Sequence, residues 1–122
     1  MNLNELNADV AEKVLGWKWE PSRNGVHPPW ICCDGVYCGA LPEFSRDLDA
    51  ACSVVREILT RDTKAGSRHA ISIEGRSRTW SEPEEFVWEV IFDRGTKFEA
   101  SASADTLPEA ICLAALEMAK HG

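Results

Sequence analysis

Two kinds of side chain in this sequence could bind a nucleotide-like ligand, namely its tryptophans and its arginines. The 122 residues contain five tryptophans. A nucleobase that stacks on such a ring gains on the order of 1–3 kcal/mol. Arginine guanidinium groups bind phosphate oxygens through paired hydrogen bonds. The residue types therefore suit an aromatic, anionic small molecule, while the same tryptophans would also serve a hydrophobic core.

No set of catalytic residues can be recognised. The chain has no Gly-x-Ser-x-Gly elbow, no phosphate-binding loop of the Gly-x4-Gly-Lys-Ser/Thr type and no His-Glu-x-x-His motif. Glu82, Glu84 and Glu85 surround Pro83 in a predicted turn, where carboxylates lack the shielding that separates their pKa values. We therefore expect a binding protein and not an enzyme.

A cluster of possible metal ligands lies in the least regular part of the chain. His27, Cys32, Cys33 and Cys38 fall within twelve positions. Zinc sites use spaced cysteine pairs, whereas the side chains of two adjacent cysteines point apart in a strand. We expect no metal and no other cofactor. The total of five cysteines is odd and no signal peptide is recognisable, so we expect free thiols in the cytoplasm of a host cell.

The charge pattern limits the choice of partner. A net charge of −7 disfavours DNA and RNA, whose phosphates would be repelled. The stretch 56–78 nevertheless carries six basic residues against three acidic ones, which is +3 and leaves −10 for the remainder. A local basic patch suits a small anion better than a polyanion. No apolar run approaches the about eighteen residues of a membrane span, so no membrane partner is expected.

Two helices are predicted in the first half of the chain. Apolar residues recur every three or four positions over 2–15, with Asn2 or Asn4 as a cap and Gly16 as the terminating residue. A second helix is predicted to begin at Phe44-Ser45, capped by Ser45. Its buried stripe is predicted to consist of Leu48, Ala51, Cys52, Val55 and Leu59. Arg56 flanks that stripe.

Strands are predicted on both sides of the second helix. Trp30–Cys33 and Val36–Cys38 could form a short hairpin. The segment 69–73 is predicted as a strand, with a turn at Glu74-Gly75 and a further strand over 76–80. Residues 85–93 alternate, so that one face carries Phe86, Trp88, Val90 and Phe92.

The last part of the chain completes the predicted fold. Arg94-Gly95 supplies a turn and Lys97–Ala104 a second, lighter strand. Thr106 and Glu109 have the spacing of a capping box, with Pro108 in the first turn of a final helix. The expected fold is a single α+β domain over residues 1–122, in which a small antiparallel sheet of three to five strands packs with two or three helices.

Several segments resemble the phage ABA-sandwich domain family. The resemblance lies in 11–17, 44–55, 88–92 and most strongly in 104–116, which reads Ala-Asp-Thr-Leu-Pro-Glu-Ala-Ile-Cys-Leu-Ala-Ala-Leu. The loop 20–41 has no counterpart. Some small phage proteins similar to this kind act in counter-defence, among them the Thoeris anti-defence sponges. These bind a cyclic ADP-ribose variant or cyclic oligonucleotides of the host without cleaving them.

The resemblance implies a homo-oligomer, a dimer or larger, that sequesters a nucleotide-derived signal. The ligand-binding residues would be Trp17, Arg56, Arg76, Trp80, Trp88, Phe92, Arg94 and Thr106, with Arg68 and Arg78 as further phosphate contacts. The alternative hypothesis is an acidic inhibitor that binds a basic host defence enzyme through complementary charge. A single contiguous acidic face would favour the inhibitor.

Overall fold

The computed structural model describes residues 2–19, 30–31, 37–38, 41–61, 68–77 and 86–120. Three α-helices and a three-stranded antiparallel sheet form the main body, which confirms the expected α+β fold. The helices are α1 (Leu3–Asp9), α2 (Leu48–Leu59) and α3 (Leu107–Lys120). The strands are β1 (Lys18–Trp19), β2 (Trp30–Ile31), β3 (Tyr37–Cys38), β4 (Ile71–Ser77), β5 (Phe86–Phe92) and β6 (Ala100–Ala104).

The first helix begins and ends at the predicted residues. Asn2 accepts a hydrogen bond from the Glu5 amide at 2.8 Å through its side-chain oxygen. Gly16 has a φ of 74°, which glycine adopts without strain. Between these residues α1 continues as a π-helical segment, Val10–Val14, in which the Leu15 amide donates to the Val10 carbonyl at 3.0 Å. The sequence periodicity predicted the helix but not this widening.

The second helix starts later than predicted and buries a different stripe. Asp47 is its cap, since its carboxylate accepts from the Asp49 amide at 2.9 Å. Ser45 is instead buried in the preceding turn, where the Asn7 side-chain oxygen accepts from its amide at 2.9 Å. The buried positions are Ala51, Val54 and Ile58, whereas Leu48 is 46% exposed. The sequence offers two apolar stripes at helical spacing, one through Val55 and Leu59 and one through Val54 and Ile58. The helix packs on the stripe that contains Val54 and Ile58.

The main sheet has the order β4-β5-β6, with both pairs antiparallel. The predicted turn at Glu74-Gly75 is wrong, because β4 runs without interruption through both residues and pairs with all of β5. Ser77 ends β4 as described, and the rest of the predicted strand over 76–80 lies outside the described residues. The strand β6 starts at Ala100 instead of Lys97, because successive turns occupy the residues after Asp93.

The predicted hairpin is also present, in a second and smaller sheet. Trp30 lies opposite Cys38 and Ile31 opposite Tyr37, and β1 adds to the other side of β2. Residues 32–36, which include the adjacent cysteines of the candidate metal cluster, lie outside the described part of the chain.

The helix α3 lies at the centre of the hydrophobic core. It packs against β5 and β6 on one side and against α2 and the π-helical segment on another. Because it has neighbours on several sides, its buried positions do not form one narrow stripe: they are Ala110, Ile111, Cys112, Ala114, Ala115 and Leu116. None of the described helices has the length and apolar character needed to cross a lipid bilayer.

Candidate functional site

A partly exposed group of apolar side chains lies on the helix-facing side of β4 and β5. Cross-strand pairing places Ile73 beside Val90, and Gly75 beside Trp88, on one face of the sheet. Val90 is fully buried under the helices, but Ile73 is 45% exposed and Phe86, farther along β5, is 51% exposed. We call Ile73, Gly75, Phe86 and Trp88 the apolar strip.

The indole of Trp88 lies directly over Gly75. A Cβ atom at position 75 would be 2.9 Å from Cζ3 of that ring and 3.1 Å from Cε3. Real Cβ atoms do not approach other heavy atoms so closely, so only glycine allows this ring position. Gly75 therefore serves close approach of a cross-strand aromatic ring instead of a turn. The ring is half-buried and belongs to the edge of the core.

Two of the predicted phosphate-binding arginines lie on the other side of the sheet. Arg76 follows Gly75 in β4, so its side chain points away from the apolar strip. Glu74 points to that same side and accepts a hydrogen bond from Arg94 Nη1 at 2.8 Å. This contact raises the pKa of Arg94. Because both arginines lie on the opposite side of the sheet, neither can contact a base that stacks on Trp88 of the same protomer.

The other predicted ligand-binding residues are dispersed. Trp17 packs edge-on against Phe44, with ring centroids 5.9 Å apart. The prediction that Phe92 binds a ligand is corrected by the structure. Its side chain is 0% exposed in the core, so its ring has no free face for a ligand. Arg56 on α2 and Thr106 before α3 are exposed. Trp80 and Arg78 lie outside the described residues. The structure does not gather the predicted set into one pocket within the described chain.

Sequence reasoning missed a partly buried pair at the end of the sheet, His69 and Asp93. His69 Nδ1 lies 2.7 Å from Asp93 Oδ2, and Asp93 Oδ1 accepts from the Ala70 amide at 3.0 Å. The Asp93 amide also donates to the Ala70 carbonyl at 2.9 Å. The two residues are 24 positions apart and meet only because β4 and β5 pair. The one local signal was an aspartate before Arg-Gly, since aspartate tolerates the positive φ of 57° found here.

This pair closes the end of the β4–β5 ladder and holds the imidazole in one orientation. A carboxylate that orients a histidine also occurs in hydrolytic triads, where a nucleophile completes the set. The contacts of His69 and Asp93 described above are with each other and with backbone. Among the described residues, no three His, Cys, Asp or Glu side chains lie together as a metal-binding group.

Comparison with known proteins identifies the family. The chain matches the family model of the Phage ABA sandwich domain over residues 8–116, a range that runs from the end of α1 into the last turns of α3. No curated protein and no solved structure matches the chain. The family match supports the expectation of a phage protein. The matched range covers most of the length of the chain. The chain therefore belongs to the Phage ABA sandwich domain family.

Proposed function

We propose that this protein binds and sequesters a nucleotide-derived immune signal of the host, without cleaving it. The ligand class would be a cyclic ADP-ribose variant or a cyclic oligonucleotide, and the biological role would be phage counter-defence. The observation that carries the proposal is the apolar strip, in which the exposed side chains of Ile73 and Phe86 lie beside the half-buried ring of Trp88.

The strip has the chemistry that a nucleobase needs. Trp88 is held by its contact with Gly75, so its orientation does not have to be fixed on binding. Phe86 lies two residues away on the same face of β5 and could contact the second side or edge of a base. Each stacked base contributes on the order of 1–3 kcal/mol. Two bases, or a base and a ribose, would suit the length of the strip.

The phosphate groups need cations, and here the structure changes which residues the proposal uses. Arg76 and Arg94 lie on the opposite side of the sheet, and Arg94 is paired with Glu74. Arg56 remains as an exposed arginine on α2. The strip of one protomer would then supply the stacking surface, and any role of Arg76 or Arg94 would require a second protomer.

The inhibitor hypothesis finds less support in the described residues. Acidic side chains lie on all three helices and on both β4 and β5, so they do not collect on one face. Several are paired with basic neighbours, such as Glu43 with Arg46 at 2.6 Å and Glu57 with Arg61 at 3.5 Å. A mixed and partly paired surface attracts a basic partner less than a single acidic face would.

A thermal-shift screen tests the proposal. The probes are cyclic ADP-ribose variants and cyclic di- and trinucleotides. Each is added at a concentration about a hundredfold above its dissociation constant for this protein. Binding to the folded state alone stabilises it by about 2.7 kcal/mol under that condition, which raises the melting temperature by several degrees. Denaturing the complex and recovering the ligand unchanged would establish sequestration.

Matched variants locate the site. Trp88→Leu and Phe86→Ser remove aromatic faces from the strip, whereas Leu48→Ser removes an equally exposed apolar side chain from α2. We expect the two strip variants to weaken binding by roughly tenfold or more each, since a stacked base is worth 1–3 kcal/mol. Leu48→Ser should bind as the natural chain does. The proposal fails if no probe shifts the melting temperature, or if the strip variants bind as tightly as Leu48→Ser.

A further inference from the structure

The strand β6 is the last strand of the main sheet, in the order β4-β5-β6. It pairs with β5 along its whole length, and among the described residues no strand pairs with its other side. Alternate amide and carbonyl groups of an edge strand point outward and can pair with another chain. Proteins usually protect such an edge with charged residues, proline or a bulge. Residues 100–104 read Ala-Ser-Ala-Ser-Ala and contain none of these.

Two depressions lie beside residues 101–104 of β6. A depression of about 810 Å³ lies next to Ser101 and Ala102, and one of about 280 Å³ lies next to Ser103 and Ala104. Leu113 of α3 lines both depressions. A neighbouring strand would run about 4.8 Å from β6, and its helix-facing side chains would enter this space.

The sequence of β6 favours a second copy of the same chain as the occupant. A two-fold interface requires a surface that is complementary to itself. Read in either direction, residues 100–104 give the same order of side chains, with Ala102 at the centre. In an antiparallel pair centred there, Ala102 faces its equivalent and Ser101 faces Ser103 of the other copy. Within residues 100–104 only small uncharged side chains meet, so no side chain of the strand itself obstructs backbone pairing.

Charges around the larger depression agree with this choice. One wall carries Asp9 and Lys13, 3.7 Å apart, and the other carries Glu117 and Lys120, 2.8 Å apart. The rim of the larger depression is thus balanced in sign, whereas the smaller one is lined by the acidic Asp105 and Glu109. A strongly basic or strongly acidic partner would gain little from the balanced rim, whereas a second copy brings the same balanced set.

We propose that β6 pairs antiparallel with β6 of a second copy about a two-fold axis at Ala102. The two three-stranded sheets become one sheet of six strands. Because the axis is perpendicular to the sheet, both helical layers lie on the same face, and the two Leu113 side chains approach each other near the axis. The half-buried Leu113 of each copy is then covered.

A charge-exchange experiment tests both the pairing and its register. Ser101 and Ser103 are exposed and face away from α3, so their replacement should leave the protomer folded. In S101K/S103K, each lysine would face a lysine of the other copy, and in S101E/S103E each glutamate would face a glutamate. Like charges directly opposite each other destabilise a strand pair, while opposite charges stabilise it. We expect each variant alone to be monomeric and an equimolar mixture to form a heterodimer.

Sedimentation velocity gives the readout, with far-ultraviolet circular dichroism to establish that both variants are folded. Glu57→Lys on α2 is the control, because it changes the charge by the same two units away from β6, and it should dimerise as the natural chain does. Three results would overturn the proposal. These are a natural chain that stays monomeric at about 0.5 mM, an S101K/S103K variant that still dimerises, and a mixture of the two variants that remains monomeric.

Discussion

At the scale of single residues, Asp93 is the side chain whose replacement should cost most outside the apolar core. It holds a positive φ of 57°, and its carboxylate contacts His69 and accepts from the Ala70 amide. Asp93→Ala removes both contacts and leaves a residue that disfavours this backbone conformation. We expect a loss of about 2–4 kcal/mol in the free energy of unfolding, measured by urea denaturation.

The matched variant for this prediction is Asp93→Asn. Asparagine tolerates the left-handed conformation and retains an oxygen that can accept from Ala70. It should therefore lose less than the alanine variant. Equal losses for the two variants would mean that neither the backbone conformation nor the Ala70 hydrogen bond contributes as argued.

Cys112 makes stability depend on pH at the alkaline end. Burial in α3, with a smaller contribution from the charge of Glu109, raises the pKa of this thiol from 9.0 to about 12. Above pH 9 the unfolded chain releases the proton while the folded chain keeps it, so rising pH favours unfolding. The contribution is complete below pH 9 and is lost at up to about 1.4 kcal/mol per pH unit until about pH 12.

Comparison with Cys112→Ala isolates this effect from other titrating groups. Between pH 8 and pH 10, the free energy of unfolding of the natural chain should fall by on the order of 1 kcal/mol more than that of the variant. Urea denaturation at both pH values measures the difference. Parallel pH profiles would show that the thiol ionises equally easily in the folded and unfolded chains.

At the scale of secondary-structure elements, the contact between Gly75 and Trp88 couples β4 to β5. Gly75→Ala would place a methyl group 2.9 Å from the indole and force the ring to move. We expect a loss of about 1–3 kcal/mol, as for other overpacked sites. In a Trp88→Leu background the same substitution should be neutral or slightly stabilising, because alanine restricts the unfolded chain more than glycine does. Additive effects in this double-mutant cycle would contradict the contact.

The same contact shows where sequence reasoning about elements stops. Regular periodicity was sufficient to predict α1 and β5, because both have a clear apolar pattern, while the capping signals around Thr106 and Pro108 were sufficient to predict α3. Glu74-Gly75 looked like a turn because glycine is a common turn residue. Glycine is required at position 75 because the ring of Trp88 on the neighbouring strand lies against it, and no local sequence pattern contains that information. The paired His69 and Asp93 were missed for the same reason.

The second helix illustrates a different limit. Its sequence contains two apolar stripes one position apart, and only the position of α2 against α3 selects the one with Val54 and Ile58. The candidate site is subject to the same limit. Trp88 could be proposed from its residue type, but the separation of Trp88 from Arg76 and Arg94 follows from strand pairing. The predicted site residues thus have side chains suited to one ligand, but they lie on different faces of the sheet.

At the scale of the whole molecule, pairing of β6 would make the stability of the fold depend on association. If two copies form a continuous sheet, the melting temperature should rise with protein concentration, because the unfolded chains are separate. Each tenfold increase adds about 1.4 kcal/mol per dimer, which corresponds to a shift of a few degrees. Calorimetry at about 5 and 500 µM measures this shift.

The S101K/S103K variant should melt at one temperature at both concentrations, while Glu57→Lys should follow the natural chain. A natural chain whose melting temperature is independent of concentration would show that the edge of β6 stays unpaired.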